Sequence, residues 1–295
     1  MATVQDLKRR IRSVTNTRKI TKAMELVASA RLRRAQSRIE EMRPYADRML
    51  ELMAITARAS GSVPLPLLQR REVRRVALLP ITADRGLAGA FNAQILRRTF
   101  ALERQLRGEG VEVSWLVSGR KGRSTLRFRG YEVAQAWTGH SEQPEYADAQ
   151  AIARRAIELY ANDEVDRVVV IYNAFRSALT QEVTVRDLLP IPEQVVEGGE
   201  DETEEAAQRG DFIYEPEPEQ ILERLLPVYV ETELYRALLE SAASEQGARM
   251  TAMRNASSNA GDLISNLTLA MNRARQAEIT QEILEVVAGA DALTG

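Results

Sequence analysis

The chain has 295 residues, 44% of them apolar, 28% charged and only 5% aromatic, which suits two domains of ordinary size and a core of aliphatic groups. Lys and Arg number 40 against 42 Asp and Glu, a net charge of −2, so nothing draws the whole molecule to nucleic acid. With no cysteine and one histidine, a disulfide scaffold, a zinc-thiolate site, a cysteine nucleophile and a histidine-clustered metal site are all excluded.

The opening Met-Ala-Thr-Val-Gln-Asp-Leu-Lys has no apolar signal core, and no apolar run approaches the ~18–20 residues of a membrane span. Apolar or small residues then recur as Val4, Leu7, Ile11, Val14 and, after a slip of phase around Arg18–Lys22, as Leu32, Ala35, Ile39, Met42, Ala46, Met49, Met53 and Thr56. That 3-4 spacing predicts a long helix with a coiled-coil seam. Pro44 interrupts it, and Gly61, Pro64 and Pro66 are expected to end it. Thirteen Lys or Arg fall in residues 1–48 against five acids.

From Val73 to Pro190 the period changes. Val73–Ile81, Val111–Val117, Arg167–Tyr172 and Val183–Leu188 read as strands, and Phe91–Leu106 and Tyr146–Tyr160 as helices. Strand and helix alternating in this way predict a parallel sheet with crossover helices. Residues 193–219 carry eleven acids against Arg209 alone and read as a solvated loop. The C-terminal stretch returns to the seam spacing with Met250, Met253, Ser257, Ala260, Ile264, Leu267, Met271 and Ala274. A helix is expected from about Glu219, with Gly289 as its stop. Both seams are rich in Ala, Ser and Met, which let helices approach closely but bury little area each.

The fold class predicted is therefore α/β plus coiled coil: long antiparallel N- and C-terminal helices with an inserted Rossmann-like α/β domain. The expected boundaries are 1–60 for the first helix, 73–192 for the α/β domain, 193–216 for the acidic loop and 217–295 for the last helix.

Three motifs invite a chemical reading. Asp84-Arg85-Gly86-Leu87-Ala88-Gly89 follows the first strand, where a phosphate loop would sit. Its glycine spacing is wrong, and it reads as a tight structural turn. Gly119-Arg120-Lys121-Gly122-Arg123-Ser124-Thr125 resembles a scrambled P-loop, but two residues separate the glycines where four are needed. A basic surface turn is the better reading. His140, in Thr138-Gly139-His140-Ser141, is expected in a loop at the surface. No catalytic, cofactor-binding or metal-binding residue is expected. The basic first helix could hold phosphates, but Tyr45 is its only aromatic, which gives base stacking little support.

The run Ile11-Arg12-Ser13-Val14-Thr15-Asn16-Thr17-Arg18-Lys19-Ile20-Thr21-Lys22-Ala23-Met24-Glu25-Leu26-Val27-Ala28 resembles the first helix of the γ subunit family of F-type ATP synthases, in its bacterial form. Ser244–Met253 and Asn272–Ile283, running on to Gly289-Ala290, resemble that family's last helix. Asp84–Leu87, Gly119–Gly122 and Tyr172-Asn173-Ala174-Phe175 match family patterns between them. The resemblance covers the whole chain in order. Some photosynthetic members carry a cysteine pair near the acidic stretch; this chain has none.

The resemblance implies a non-catalytic rotor shaft. It would stand in a ring of three α and three β subunits, whose β subunits carry out the catalysis. Its other end would meet the ε subunit and the membrane-embedded c-ring, at the cytoplasmic face of the cell membrane. It implies no nucleic acid and no membrane span. Matching positions nominate partner contacts: Arg18, Lys19, Lys22 and Met24 on the first helix, and Glu245, Arg249, Arg273, Arg275, Gln276, Thr280, Glu282, Ile283, Val286 and Val287 on the last. The alternative is a basic coiled coil that binds nucleic acid or acts as a scaffold.

Overall fold

The computed structural model describes residues 3–60, 65–177, 180–192, 195 and 215–294. Almost all of the acidic stretch lies outside the described residues. In chain order the elements are α1 (Val4–Ser60), β1 (Arg75–Pro80), α2 (Phe91–Gly108), β2 (Glu112–Ser118), α3 (Arg120–Phe128), β3 (Gln135–Trp137), α4 (Tyr146–Ala161), β4 (Arg167–Phe175), β5 (Gln181–Leu189) and α5 (Pro218–Thr294). They divide into two compact units, residues 29–249 and residues 1–28 with 250–295.

The unit of residues 29–249 is built on a five-stranded sheet of order β3-β2-β1-β4-β5. The first four strands are parallel, and β5 returns antiparallel to β4. Side chains alternate across β1 because successive residues of a strand point to opposite faces. Val76 and Leu78 join a core with Phe91, Ile95 and Phe100 of α2 and Leu126 of α3. Ala77 and Leu79 join a second core with Ile152 and Ala156 of α4, Met49 and Met53 of α1, and Leu226 and Val230 of α5. The sheet is thus covered on both faces, as parallel strands require.

Two elements lie outside the sequence reading. Strand β3 is three residues long, too short to show a period. Helix α3 begins at Arg120, where a surface turn was expected. The expected stop at Gly289 is also corrected, since α5 continues to Thr294. A glycine inside a helix costs about 1 kcal/mol relative to alanine, which weakens a helix without ending it.

In the other unit, residues 4–28 of α1 pack on residues 250–274 of α5. Leu7 and Ala28 are buried on one helix and Met250, Met253 and Ala260 on the other. Glu25 meets Arg254 at 3.1 Å, and Arg18, one heptad earlier, lies against Gly261, one heptad later. The pair is therefore antiparallel with a heptad register. Continued, that register sets Val4, the first residue of α1, opposite Arg275. From Arg275 to Ala290 every residue of α5 is exposed.

Candidate functional sites

At the carboxyl end of the sheet, where parallel α/β folds usually bind ligands, the chain fills the space with its own groups. The Asp84 carboxylate accepts the backbone N–H of Arg120 at 2.9 Å, of Gly139 at 2.8 Å and of Ser141 at 3.1 Å. Asp84 returns its own N–H to Ser141 Oγ at 2.8 Å. One side chain thereby ties the loops after β1, β2 and β3. Partial burial pushes the Asp84 carboxyl upward, but the three amide donors outweigh it and hold the group below the usual carboxylate range.

The Gly119-x-x-Gly122 spacing has a packing cause. Gly119 has φ +96°, and a Cβ there would come within 2.0 Å of the Thr82 carbonyl oxygen. A Cβ on Gly122 would meet both Thr82 Oγ1 and Val117 at 2.7 Å. Thr82 Oγ1 donates to the Ser118 carbonyl at 2.8 Å and accepts the Gly122 N–H at 2.9 Å. These glycines seat the first turn of α3 on the end of β1. His140, expected at the surface, is only 8% exposed, with Nε2 at 2.9 Å from Ser118 Oγ. A loop composition gave no sign of that burial.

Glu245 and Arg249, expected to face a partner, are 1% and 6% exposed. One helical turn apart on α5, they pair with each other at 2.5 Å. Arg249 also reaches the Gly86 carbonyl at 3.4 Å and the Glu142 carboxylate at 3.7 Å. Glu142 holds Arg31 of α1 as well, and Arg85 at 3.7 Å. Their burial gives them internal neighbours, so this chain presents neither as a surface group. Burial raises the Glu245 carboxyl above its ordinary range, against the pull of Arg249.

The other nominated residues lie in the helical pair. Arg18, Lys19 and Lys22 are exposed, and Met24 is half-buried beside the buried Glu25. Lys22 and Arg254 both donate to Glu25, at 3.0 and 3.1 Å, and hold its carboxyl below the usual range. Arg273, Arg275, Gln276, Thr280, Glu282, Ile283, Val286 and Val287 are all exposed. Among the described residues, no group of three or more His, Cys, Asp or Glu is placed to hold a metal. No helix among them is long and apolar enough to cross a membrane.

The ATP synthase family matches residues 3–293. The ATP synthase gamma chain of Rubrobacter xylanophilus is 46% identical over 294 residues, covering 99% of each chain. This chain belongs to the ATP synthase γ family. The gamma chain of Moorella thermoacetica is also 46% identical, over 99% of this chain and all of that one. Among solved structures, the central stalk and c-ring assembly of Tetrahymena thermophila mitochondrial ATP synthase holds a chain 29% identical to this one. It covers 81% of this chain and 99% of its own length, with a TM-score of 0.58. A chain of the Euglena gracilis mitochondrial synthase, at 18% identity, shares the fold over 98% of this chain with a TM-score of 0.68. None of these relatives supports a nucleic-acid-binding or scaffold reading, and γ chains are the non-catalytic central-stalk subunits of the synthase.

Proposed function

We infer that the chain is the central rotor shaft of a bacterial F-type ATP synthase, carried above all by its full-length match to bacterial γ chains. Rotation of the c-ring turns the shaft inside three α and three β subunits, and the ε subunit rides on it. An antiparallel pair of unlike helices has no threefold symmetry, so each β subunit meets a different face. Each orientation then favours a different state at each catalytic site, because coupling is a difference in contact energy between states. Rotation in one sense drives ATP synthesis, and hydrolysis drives the reverse.

The exposed residues of the helical pair are the proposed contacts. Arg18, Lys19 and Lys22 are cations suited to acidic loops, with Met24 beside them. Arg273, at the outer face of the pair, and Arg275, Gln276, Thr280 and Glu282, on the stretch of α5 that α1 leaves uncovered, supply polar contacts. Ile283, Val286 and Val287 are exposed apolar groups that would turn in an apolar collar, where contacts are non-directional. Glu245 and Arg249 would serve from inside, by fixing α5 to the α/β domain. The domain boundaries 1–60, 73–192, 193–216 and 217–295 belong to this reading, as does a peripheral place at the cytoplasmic face of the cell membrane.

Co-expression with the α and β subunits of the same source, followed by native mass, tests it. The expected mass is three α, three β and one copy of this chain. A folded chain left alone beside a completed α/β ring would overturn it.

A further inference from the structure

The α/β domain carries a surface that the rotor reading leaves unused. Helices α2 and α3 border a groove of about 670 Å³ lined by Arg97, Arg104, Lys121 and Arg129, with Phe100 and Tyr131 as its floor. Among the described residues none of these four cations has a carboxylate partner. The acid in the groove, Glu103, is buried and held at 2.5 Å by Arg107. The Arg129 guanidinium lies 4.2 Å above the Phe100 ring, which fixes it in place without neutralising it. Like charges gathered in one groove repel, and a bound anion relieves that repulsion.

The segment that forms α3 continues the pattern. Arg120, Lys121, Arg123, Arg127 and Arg129 fall within ten residues that contain no acid. Between the last two stands Phe128, which is 91% exposed, more than any other large apolar side chain described. A protein partner would need a pocket for the ring and a carboxylate on each side of it. An anionic bilayer surface supplies both at once: an apolar boundary for the ring and phosphates for the guanidiniums.

We propose that the α2–α3 face, with Phe128 at its end, is a contact site for anionic phospholipid. Phe128 enters the headgroup boundary, and Arg127, Arg129 and the groove cations bind lipid phosphates. The contact is reversible and salt-sensitive, since one aromatic ring is far weaker than an acyl anchor. It is a property of this chain alone and does not depend on assembly into a rotor.

The test is co-sedimentation of the full chain with vesicles of phosphatidylglycerol and phosphatidylcholine, against pure phosphatidylcholine. Binding is expected to the anionic vesicles only and to fall away at high salt. Arg127→Gln with Arg129→Gln should weaken it by about twenty-fivefold, at roughly fivefold per cation. Phe128→Ser, at an exposed position that leaves the core intact, should weaken it severalfold, and a Phe128→Trp variant should be quenched by brominated acyl chains. Lys8→Gln with Arg10→Gln, which removes as much charge from α1, should change binding little. The proposal is overturned if the chain ignores anionic vesicles, if the α1 variant loses as much binding as the α3 variant, or if polyglutamate in solution is bound as tightly as the vesicles. That last result would assign the face to an acidic protein instead.

Discussion

The buried carboxylate of Glu25 on α1 accepts a hydrogen bond from the Arg254 guanidinium of α5 at 3.1 Å, and a second from Lys22 one turn away at 3.0 Å. It joins two helices whose seam is rich in small residues and methionines. Removing the carboxylate in Glu25→Ala should cost about 1 kcal/mol, a value discounted because both cations are half in water. The pH dependence has a definite sign. A carboxyl lowered in the folded state stabilises the fold above its unfolded pKa, and that contribution is lost as pH falls through the lower folded value. Thermal melts of the wild type and Glu25→Gln should therefore converge below pH 4.5, the ordinary value for this group. Curves that stay parallel into acid would show that the pair contributes nothing.

Gly261 lies within α5, and a Cβ built there would sit 3.5 Å from the nearest Arg18 guanidinium atom, at ordinary van der Waals distance. Gly261→Ala thus adds helix propensity without a clash. It should stabilise the chain by roughly 0.5–1 kcal/mol. Denaturant titration at constant m-value reads this directly. A loss of stability would mean that the helices approach more closely there than 3.5 Å.

The two glycines at the start of α3 should behave in the opposite way. Gly119→Ala would place a methyl 2.0 Å from the Thr82 backbone oxygen at a positive φ, and no side-chain motion relieves that. A loss of about 3 kcal/mol or more is expected, beyond the usual range for a point change. Lys121→Gln, between the same glycines, should leave stability within about 0.5 kcal/mol as an exposed substitution. If Lys121→Gln were the more damaging change, the close packing of the glycines on Thr82 would not be what holds the start of α3.

These residues show where sequence reading reaches and where it stops. The long helices and the main strands are legible because a 3-4 or twofold period repeats over many residues, as from Leu32 to Thr56. Helix α3 is not, since nine residues with four cations offer too few apolar positions to define a face. The burial of His140 and the internal pairing of Glu245 with Arg249 are set by residues far away in the chain, Ser118, Gly86 and Glu142, which no local pattern reveals. The nominated contacts at the end of α5 are the reverse case. Their exposure follows from α1 beginning at Val4, while their role comes from family likeness and not from any periodicity.

Glu245 and Arg249 lead to a test of buried charge. Taking away one partner strands the other in a nearly dry site, which typically costs about 3–5 kcal/mol. Glu245→Ala should show a loss near the lower end, because Glu142 remains 3.7 Å from Arg249. Glu245→Gln, which keeps a hydrogen-bond acceptor, should cost less. Burial raises the Glu245 pKa, so ionising it opposes folding, and wild-type stability relative to Glu245→Gln should fall as pH rises from 4.5 through the higher folded value. A double-mutant cycle with Arg249→Ala that gave no coupling energy would show that the pair does not act as a unit.

Arg275 and Gln276 stand where α5 leaves the cover of α1, and both are exposed. Neither has a packing role to lose, so Arg275→Ala with Gln276→Ala should leave helix content and melting temperature of the isolated chain unchanged. Alanine is the better helix former at both positions. In the assembled complex the same pair of changes should lower ATP hydrolysis by severalfold, since each exposed polar contact is worth about 0.2–1 kcal/mol and two are removed together. The informative comparison is hydrolysis by the complex against circular dichroism of the free chain. If hydrolysis is unaltered while assembly is complete, the polar contacts at this end of the shaft carry no coupling, and the apolar group of Ile283, Val286 and Val287 becomes the place to look. If helicity of the free chain falls as well, the two side chains are structural, and the contact reading for them fails on different grounds.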